Sequence, residues 1–214
     1  MRIGILGSGL MGGKLGTLFA RAGHEVVFSY ARSKEKLKRL SRNAGANALA
    51  ARRPKPRRTR TRSSWPCTGR GSQMCCNRQA MFRARSSSTC SLPMNTDNTE
   101  LAIAHSSSGL EELAKIVPKA RVVAAFNTVP SEVLFGVYER RRRANRPSLV
   151  YCGDDKRGKA LAATLIRDVG FNPVDAGPAR IARYIEPFAL LVAQLAYEGK
   201  GGQELAYRFE RFGK

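Results

Sequence analysis

Short unbroken apolar runs alternate along this chain with stretches in which apolar residues recur three and four positions apart. Runs of the first kind suit strands buried on both faces, and the second kind suits helices with one wet face. Residues 2–6 form the first such strand, and Leu10, Leu15, Leu18 and Phe19 then share a helix face that leaves Lys14 and Arg21 in water. Gly23 ends that helix. Residues 25–30 read as a second strand and 34–43 as a second helix that stops near Gly45. The alternation returns after residue 89. Ser106, Ser107, Ser108 and Gly109 precede a helix with early acids over 110–117, closed by Pro118. A buried strand over 121–126 follows, then a helix near the run Arg140–Arg143, which reads as a solvated face. A strand over 148–153, a helix from Asp154 and Asp155 through Asp168, and a last short strand and turn over 171–178 complete the series. The long final helix, 179–198, is apolar on more than one face through Phe188, Leu190, Leu191, Val192 and Leu195, so it covers the sheet or pairs with a second copy. The order predicts an α/β Rossmann-type fold: a doubly wound, mainly parallel sheet with helices on both faces. A single domain over 1–214 with a C-terminal helical cover over 179–212 is the expected organisation.

The pattern breaks between the two halves. From Ala51 to Ser88 there are eleven basic residues, no acidic one and few aliphatics. Alone, such a segment reads as an irregular basic loop, and 48–88 is set apart as anomalous. A doubly wound fold needs strands there, and losing them would strip half the domain of its core. Rewriting the codons of residues 60–68 one base out of register allows Asp-Ala, three aliphatics, Ala, an aliphatic and His, which is a buried strand. The same shift allows residues 83–88 to read Gly-Lys followed by aliphatics. The expectation is that residues near 48–88 are translated out of frame and that the original frame resumes by Thr89.

Candidate chemistry begins at Gly7-x-Gly9-x-x-Gly12, which ends the first strand and opens the first helix. In that setting the first glycine makes a tight turn, the second admits a pyrophosphate close to the backbone, and the third lets helix and strand pack. Gly7, Ser8, Gly9, Leu10, Met11 and Gly12 are thus the expected phosphate cradle at a helix N-terminus. An acidic residue at the end of the second strand would hold a free ribose, and none stands there. Ser29, Arg32, Ser33 and Lys36 instead suit a 2′-phosphate, favouring NADP over NAD, beside the plainer reading of Ser33 as a helix cap. Asn127 and Thr128 follow the 121–126 strand, at the end where α/β sheets collect ligands, and either bind nicotinamide or substrate or form a turn with a helix cap.

Charge complicates this picture. The 214 residues carry 38 Lys and Arg against 16 Asp and Glu, a net charge of +22, and half of it lies between Ala51 and Ser88. Such a balance raises a nucleic-acid-binding alternative through phosphate contacts, although only Trp65 and Phe82 supply aromatics there and no recognised module frames them. No apolar run approaches the roughly 20 residues that span a bilayer, so no membrane partner and a cytoplasmic location are expected. The five cysteines, Cys67, Cys75, Cys76, Cys90 and Cys152, lack metal-site spacing and read as reduced thiols, so no metal site is assigned. His24 sits at a turn, His105 lies in a polar loop, and no catalytic residue is assigned.

Four segments together resemble the NADP oxidoreductase family dependent on the deazaflavin coenzyme F420: residues 7–12, Ala125-Phe126-Asn127-Thr128-Val129-Pro130, Cys152-Gly153-Asp154-Asp155 and Asp175-Ala176-Gly177-Pro178. The resemblance runs over residues 1–47 and 89–212 and fails between. It implies hydride transfer between NADP and a second small molecule, the deazaflavin being the candidate, by an enzyme that positions two rings and needs no general acid or base. It places Leu92-Pro93-Met94-Asn95 beside Asn127 and Thr128 in the second ring's pocket, and it implies impaired activity if the strand missing from 48–88 forms a wall of the site. A homodimer through the last helix is a further expectation.

Overall fold

The computed structural model describes residues 1–7, 9–29, 34–45, 47–50 and 86–213. They fall into two compact units, Met1–Cys75 and Cys76–Lys214.

In the first unit β1 (Arg2–Leu6), β2 (Glu25–Ser29) and β3 (Ala48–Ala50) form a parallel sheet in the order β1-β2-β3. Helix α1 (Leu10–Arg21) follows the glycine turn, and α2 (Lys34–Ala44) links β2 to β3. The apolar spacing seen in the sequence becomes the buried stripe of α1, with Leu15, Leu18 and Phe19 inside and Arg21 exposed. Gly16 lets α1 lie directly on β2, since a side chain there would run into the Phe28 ring. The sheet is thereby brought under the helix at the start of α1, where phosphate chemistry is expected.

The second unit holds β4 (Ser86–Thr89), β5 (Arg121–Ala125), β6 (Ser148–Gly153) and β7 (Asn172–Asp175), in the order β4-β5-β6-β7. Its helices are α3 (Gly109–Ile116), α4 (Val133–Glu139), α5 (Lys156–Val169) and α6 (Ala182–Tyr197), the last preceded by a 3-10 turn at Ala179–Ile181. Alternation along β5 sorts its neighbours by face. Val122 and Ala124 join Leu110 of α3 and Ala182 and Ile185 of α6 in one core. Val123 points the other way, against Gly158 of α5. Helices therefore cover both faces of a mainly parallel sheet, as the apolar pattern predicts.

One pairing departs from parallel, that of β5 with β6. Helix α4 has seven residues, so it rises about 10 Å, while a six-residue strand spans roughly 20 Å. The chain is not carried back along the sheet, and it enters β6 from the end at which it left β5. Within the expected 179–212 helical cover, regular helix ends at Tyr197, and residues 203–213 run on without it. That tail is pinned to the start of β6: Ser148 N donates to the Tyr207 carbonyl at 2.8 Å, and Phe209 N donates to Ser148 Oγ at 2.9 Å.

Two side chains one turn apart on α6 hold the N-terminus of α3. Arg183 forms a two-pronged pair with Glu111 at 2.9 and 2.8 Å. Glu186, only 2% exposed, accepts from Gly109 N at 2.9 Å and Leu110 N at 3.1 Å. Ser108 caps the same helix by accepting from Glu111 N, which confirms the serine run as a start signal. The described part of the anomalous segment contributes β3 and β4, and β4 is a strand of Ser and Thr paired in register with β5. The remainder of the arginine-rich stretch, 51–85, lies outside the described residues, and with it the out-of-frame strand expected over 60–68.

Candidate functional site

The glycine turn is built from backbone alone. Gly7 has φ +99°, a left-handed conformation that side chains disfavour, and its N–H donates to the Ser29 carbonyl at 3.2 Å. A Cβ on Gly12 would collide with the Gly7 carbonyl and lie 3.2 Å from Ile5 Cγ2, so the helix meets the strand only because that atom is missing. Gly9 is the N-cap of α1 and supplies no side chain to satisfy the helix's first N–H groups. Among the described residues, its chain neighbours apart, none has an atom within 4 Å of where its Cβ would stand, and the first turn of α1 carries no acid. A helix N-terminus with its partial positive charge and no side-chain cap is chemically suited to an anion. Leu10, 73% exposed, and Met11, half-buried, flank it.

The cradle's neighbours are placed in part. The Ser29 hydroxyl donates to the Ile5 carbonyl at 2.9 Å and so ties the ends of β1 and β2 together. Lys36 stands half-buried on the first turn of α2. Ser8, Arg32 and Ser33 lie outside the described residues.

In the second unit, Asn127 and Thr128 follow the C-terminal end of β5. Phe126, the residue before them, has φ +65°, a conformation costing a bulky residue about 1–3 kcal/mol. Asn127 is 7% exposed, and among the described residues neither its Nδ2 nor its Oδ1 has a hydrogen-bond partner. Burying such a carboxamide unpaired costs on the order of 1–3 kcal/mol per group. A strained backbone that delivers an unsatisfied donor and acceptor is arranged for something other than stability. Thr128 is fully buried, and its hydroxyl pairs with the Tyr207 hydroxyl at 2.7 Å, so its oxygen is held by the tail and not turned to a helix end. Tyr207 also accepts from Val150 N at 3.2 Å and packs edge-on against Phe188 and Phe209. Its raised pKa follows from burial, so the phenol stays neutral. The sequence gives no local sign of this residue: it lies 79 positions from its partner.

The other expected site elements have duties of their own. Asn95 Oδ1 accepts from Thr99 N at 2.9 Å and Glu100 N at 3.3 Å, so its carboxamide organises its own loop. His24 is buried against the Phe19 ring, and its Nδ1 lies 3.3 Å from the N-terminal amine. His105 is exposed with φ +62°. Burial, with Glu186, Asp154 and Asp175 adding to it, pushes the Cys152 thiol up to about 12, which leaves it protonated and inert. Cys90 is likewise raised by burial. Cys67, Cys75 and Cys76 lie outside the described residues. Among the described residues no group of three or more His, Cys, Asp and Glu is placed to hold a metal, and no helix is long and apolar enough to cross a membrane.

Residues 2–55 match the family model for NADP oxidoreductase, coenzyme F420-dependent. The chain resembles that family. Its match to the F420-dependent oxidoreductase model takes in the glycine turn, β1, α1, β2 and α2. The metalloreductase STEAP3 of Rattus norvegicus is 31% identical over 121 residues, 52% of this chain and 24% of that protein, so the chain spans about a quarter of the length of this curated relative. Two solved structures share the fold. A candidate F420-dependent NADP reductase from Arthrobacter sp. FB24 superposes with a TM-score of 0.76 at 18% identity, covering 97% of this chain and 98% of that one. The imine reductase BcSIRED from Bacillus cereus BAG3X2 gives 0.55 at 13% identity, covering 91% of this chain and 60% of that one.

Proposed function

We propose that this protein is an NADP-dependent oxidoreductase that moves a hydride between nicotinamide and a second small molecule, with a deazaflavin as that molecule. The observation that carries the reading is the glycine turn: a left-handed Gly7, a Gly12 that has no room for a side chain, and an uncapped α1 beneath open space. Gly7, Ser8, Gly9, Leu10, Met11 and Gly12 hold the pyrophosphate, and Ser29, Arg32, Ser33 and Lys36 hold the 2′-phosphate. Asn127, whose carboxamide has both a donor and an acceptor to offer, takes a complementary amide on nicotinamide or on the second ring, and Thr128 supports it from its bond to Tyr207. A bound reduced nicotinamide supplies two electrons and a proton as hydride. The chain's contribution is orientation, which fits the inert Cys152 and the absence of an assigned acid or base.

The same reading includes impairment of the chain as translated. The family match ends at residue 55, within the arginine-rich stretch, and β4 is made of Ser and Thr where a parallel strand ordinarily carries aliphatics.

Titration of the full chain with NADPH and NADH, followed by nicotinamide fluorescence, tests the assignment. Charge-assisted bonds to the 2′-phosphate contribute about 1.5–3 kcal/mol each, so NADPH binds at least about tenfold more tightly than NADH. A version with the 48–88 frame restored binds NADPH more tightly than the chain as translated and reduces a deazaflavin. Equal affinity of the two versions overturns the impairment, and no NADPH binding by either overturns the function.

A further inference from the structure

The run Arg140–Arg143, a solvated face by sequence alone, is divided by the fold. Arg141 turns back on α4, its guanidinium 4.0 Å from the Tyr138 ring centre and donating to the Tyr138 carbonyl at 2.9 Å. Arg140 and Arg143 instead line a cleft of about 420 Å³, together with Arg146 at the entry to β6. Its apolar wall comes from Val133 and Val137 of α4, Pro147 and the tail residue Tyr207. The volume lies in the range of small-molecule sites. A fourth guanidinium in the lining, that of Arg208, is paired with Glu210 at 2.8 Å. Arg140, Arg143 and Arg146 form no ion pair among the described residues, and the one carboxylate in the lining, Glu204, is not within ion-pair distance of any of them.

We infer that this cleft binds an organic phosphate, its phosphate held by Arg140, Arg143 and Arg146 and its ring or hydrocarbon body laid against Val133, Val137, Pro147 and Tyr207. Three planar forks in one lining offer more donors than a single carboxylate accepts, whereas a phosphate monoester presents three terminal oxygens and two charges. Three cations share this lining with one carboxylate, Glu204, so a net positive charge remains, and a dianion relieves the repulsion. The apolar wall distinguishes a phosphorylated organic molecule from the free ion, because only the former has surface to bury there. The cleft shares Tyr207 with the Thr128 contact.

Calorimetric titration of the full chain with phenyl phosphate and, separately, with inorganic phosphate tests this, in the native protein and in Arg143→Gln/Arg146→Gln. The expected result is saturable binding of phenyl phosphate, at least about tenfold weaker in the double variant, given about 1.5–3 kcal/mol for each lost charge-assisted bond. Inorganic phosphate binds several-fold more weakly than phenyl phosphate. The eleven basic residues of 51–88 are present in both proteins, so a difference between them reports the cleft. Neither substituted side chain has an ion partner among the described residues, so an unchanged melting temperature is expected; the single Arg143→Gln variant repeats the comparison with less perturbation. Equal phenyl phosphate affinity in native and variant proteins, inorganic phosphate binding as tightly as phenyl phosphate, or no saturable binding overturns the inference.

Discussion

The glycine turn of the first unit and the Asn127 corner of the second are both strand ends suited to a ligand, and they are built on opposite principles. At the turn every functional group is backbone: Gly7 supplies the left-handed bend, Gly12 the closeness, and α1 its N–H groups. At the corner the functional group is one carboxamide, and the residue next to it, Thr128, is held by Tyr207 from the distant tail. A backbone site is specified by which side chains are missing, and its residues lie within one turn of helix. A side-chain site is specified by neighbours that only folding assembles. Substitution therefore damages the first by adding atoms and the second by removing them.

The largest effect is expected from Gly12→Val. Its Cβ meets the Gly7 carbonyl and its methyls meet Ile5, and overpacking of this kind costs about 1–3 kcal/mol. NADPH affinity measured by fluorescence titration falls at least tenfold, since about 1.4 kcal/mol corresponds to a factor of ten. Unchanged affinity would place the nucleotide elsewhere than on this turn.

Asn127→Leu sharpens the contrast because stability and binding move apart. Replacing an unpaired buried amide by an apolar side chain of similar shape raises the unfolding free energy by about 1–3 kcal/mol, while affinity for NADPH or for the second substrate drops. Denaturant unfolding and ligand titration report the two quantities. A loss of stability would mean that the amide is already satisfied, and the argument for a ligand there would go with it.

Tyr207→Phe has a smaller effect of about 1 kcal/mol, because the ring stays in place and only the hydroxyl's bonds to Thr128 and to Val150 N–H are lost. Combined with Thr128→Val, the loss is less than the sum of the two single changes, as expected of residues sharing one hydrogen bond. Strict additivity in a denaturation cycle would show that the tail does not hold the corner.

The smallest effect concerns pH. Burial raises the Glu186 carboxyl above its ordinary 4.5, against the two N–H bonds from α3 that lower it. The folded chain then holds a proton that the unfolded chain has released, so the stabilising contribution is complete below pH 4.5 and is lost as pH rises through the folded pKa. Glu186→Gln removes this dependence. The stability of the native protein minus that of the variant should fall with rising pH in thermal melts begun at pH 4.5; a rising difference would reverse the assignment.

Legibility in the sequence follows the same division. Element type and order were readable wherever periodicity was strong, as in α1 with Leu15, Leu18 and Phe19 and in β5 with its unbroken apolar run. The glycine turn was readable because its spacing is local. The antiparallel entry of β6 was not, since it depends on how far a seven-residue helix carries the chain. The tail was expected as part of a helical cover, and its attachment to β6 rests on backbone and hydroxyl bonds that leave no periodic trace. The arginine run looked uniform, yet Arg141 and Arg143 have different surroundings because the chain turns between them.

By itself the sequence determined the α/β alternation, the glycine turn between β1 and α1 and the absence of an acid at the end of β2, because each depends on residues adjacent in the chain. The tertiary structure alone decided that Asn127 is buried without a partner, that Tyr207 holds Thr128, and that three arginines share one cleft. Those facts depend on contacts between residues far apart in the chain, and such contacts are set by packing, which no local pattern encodes.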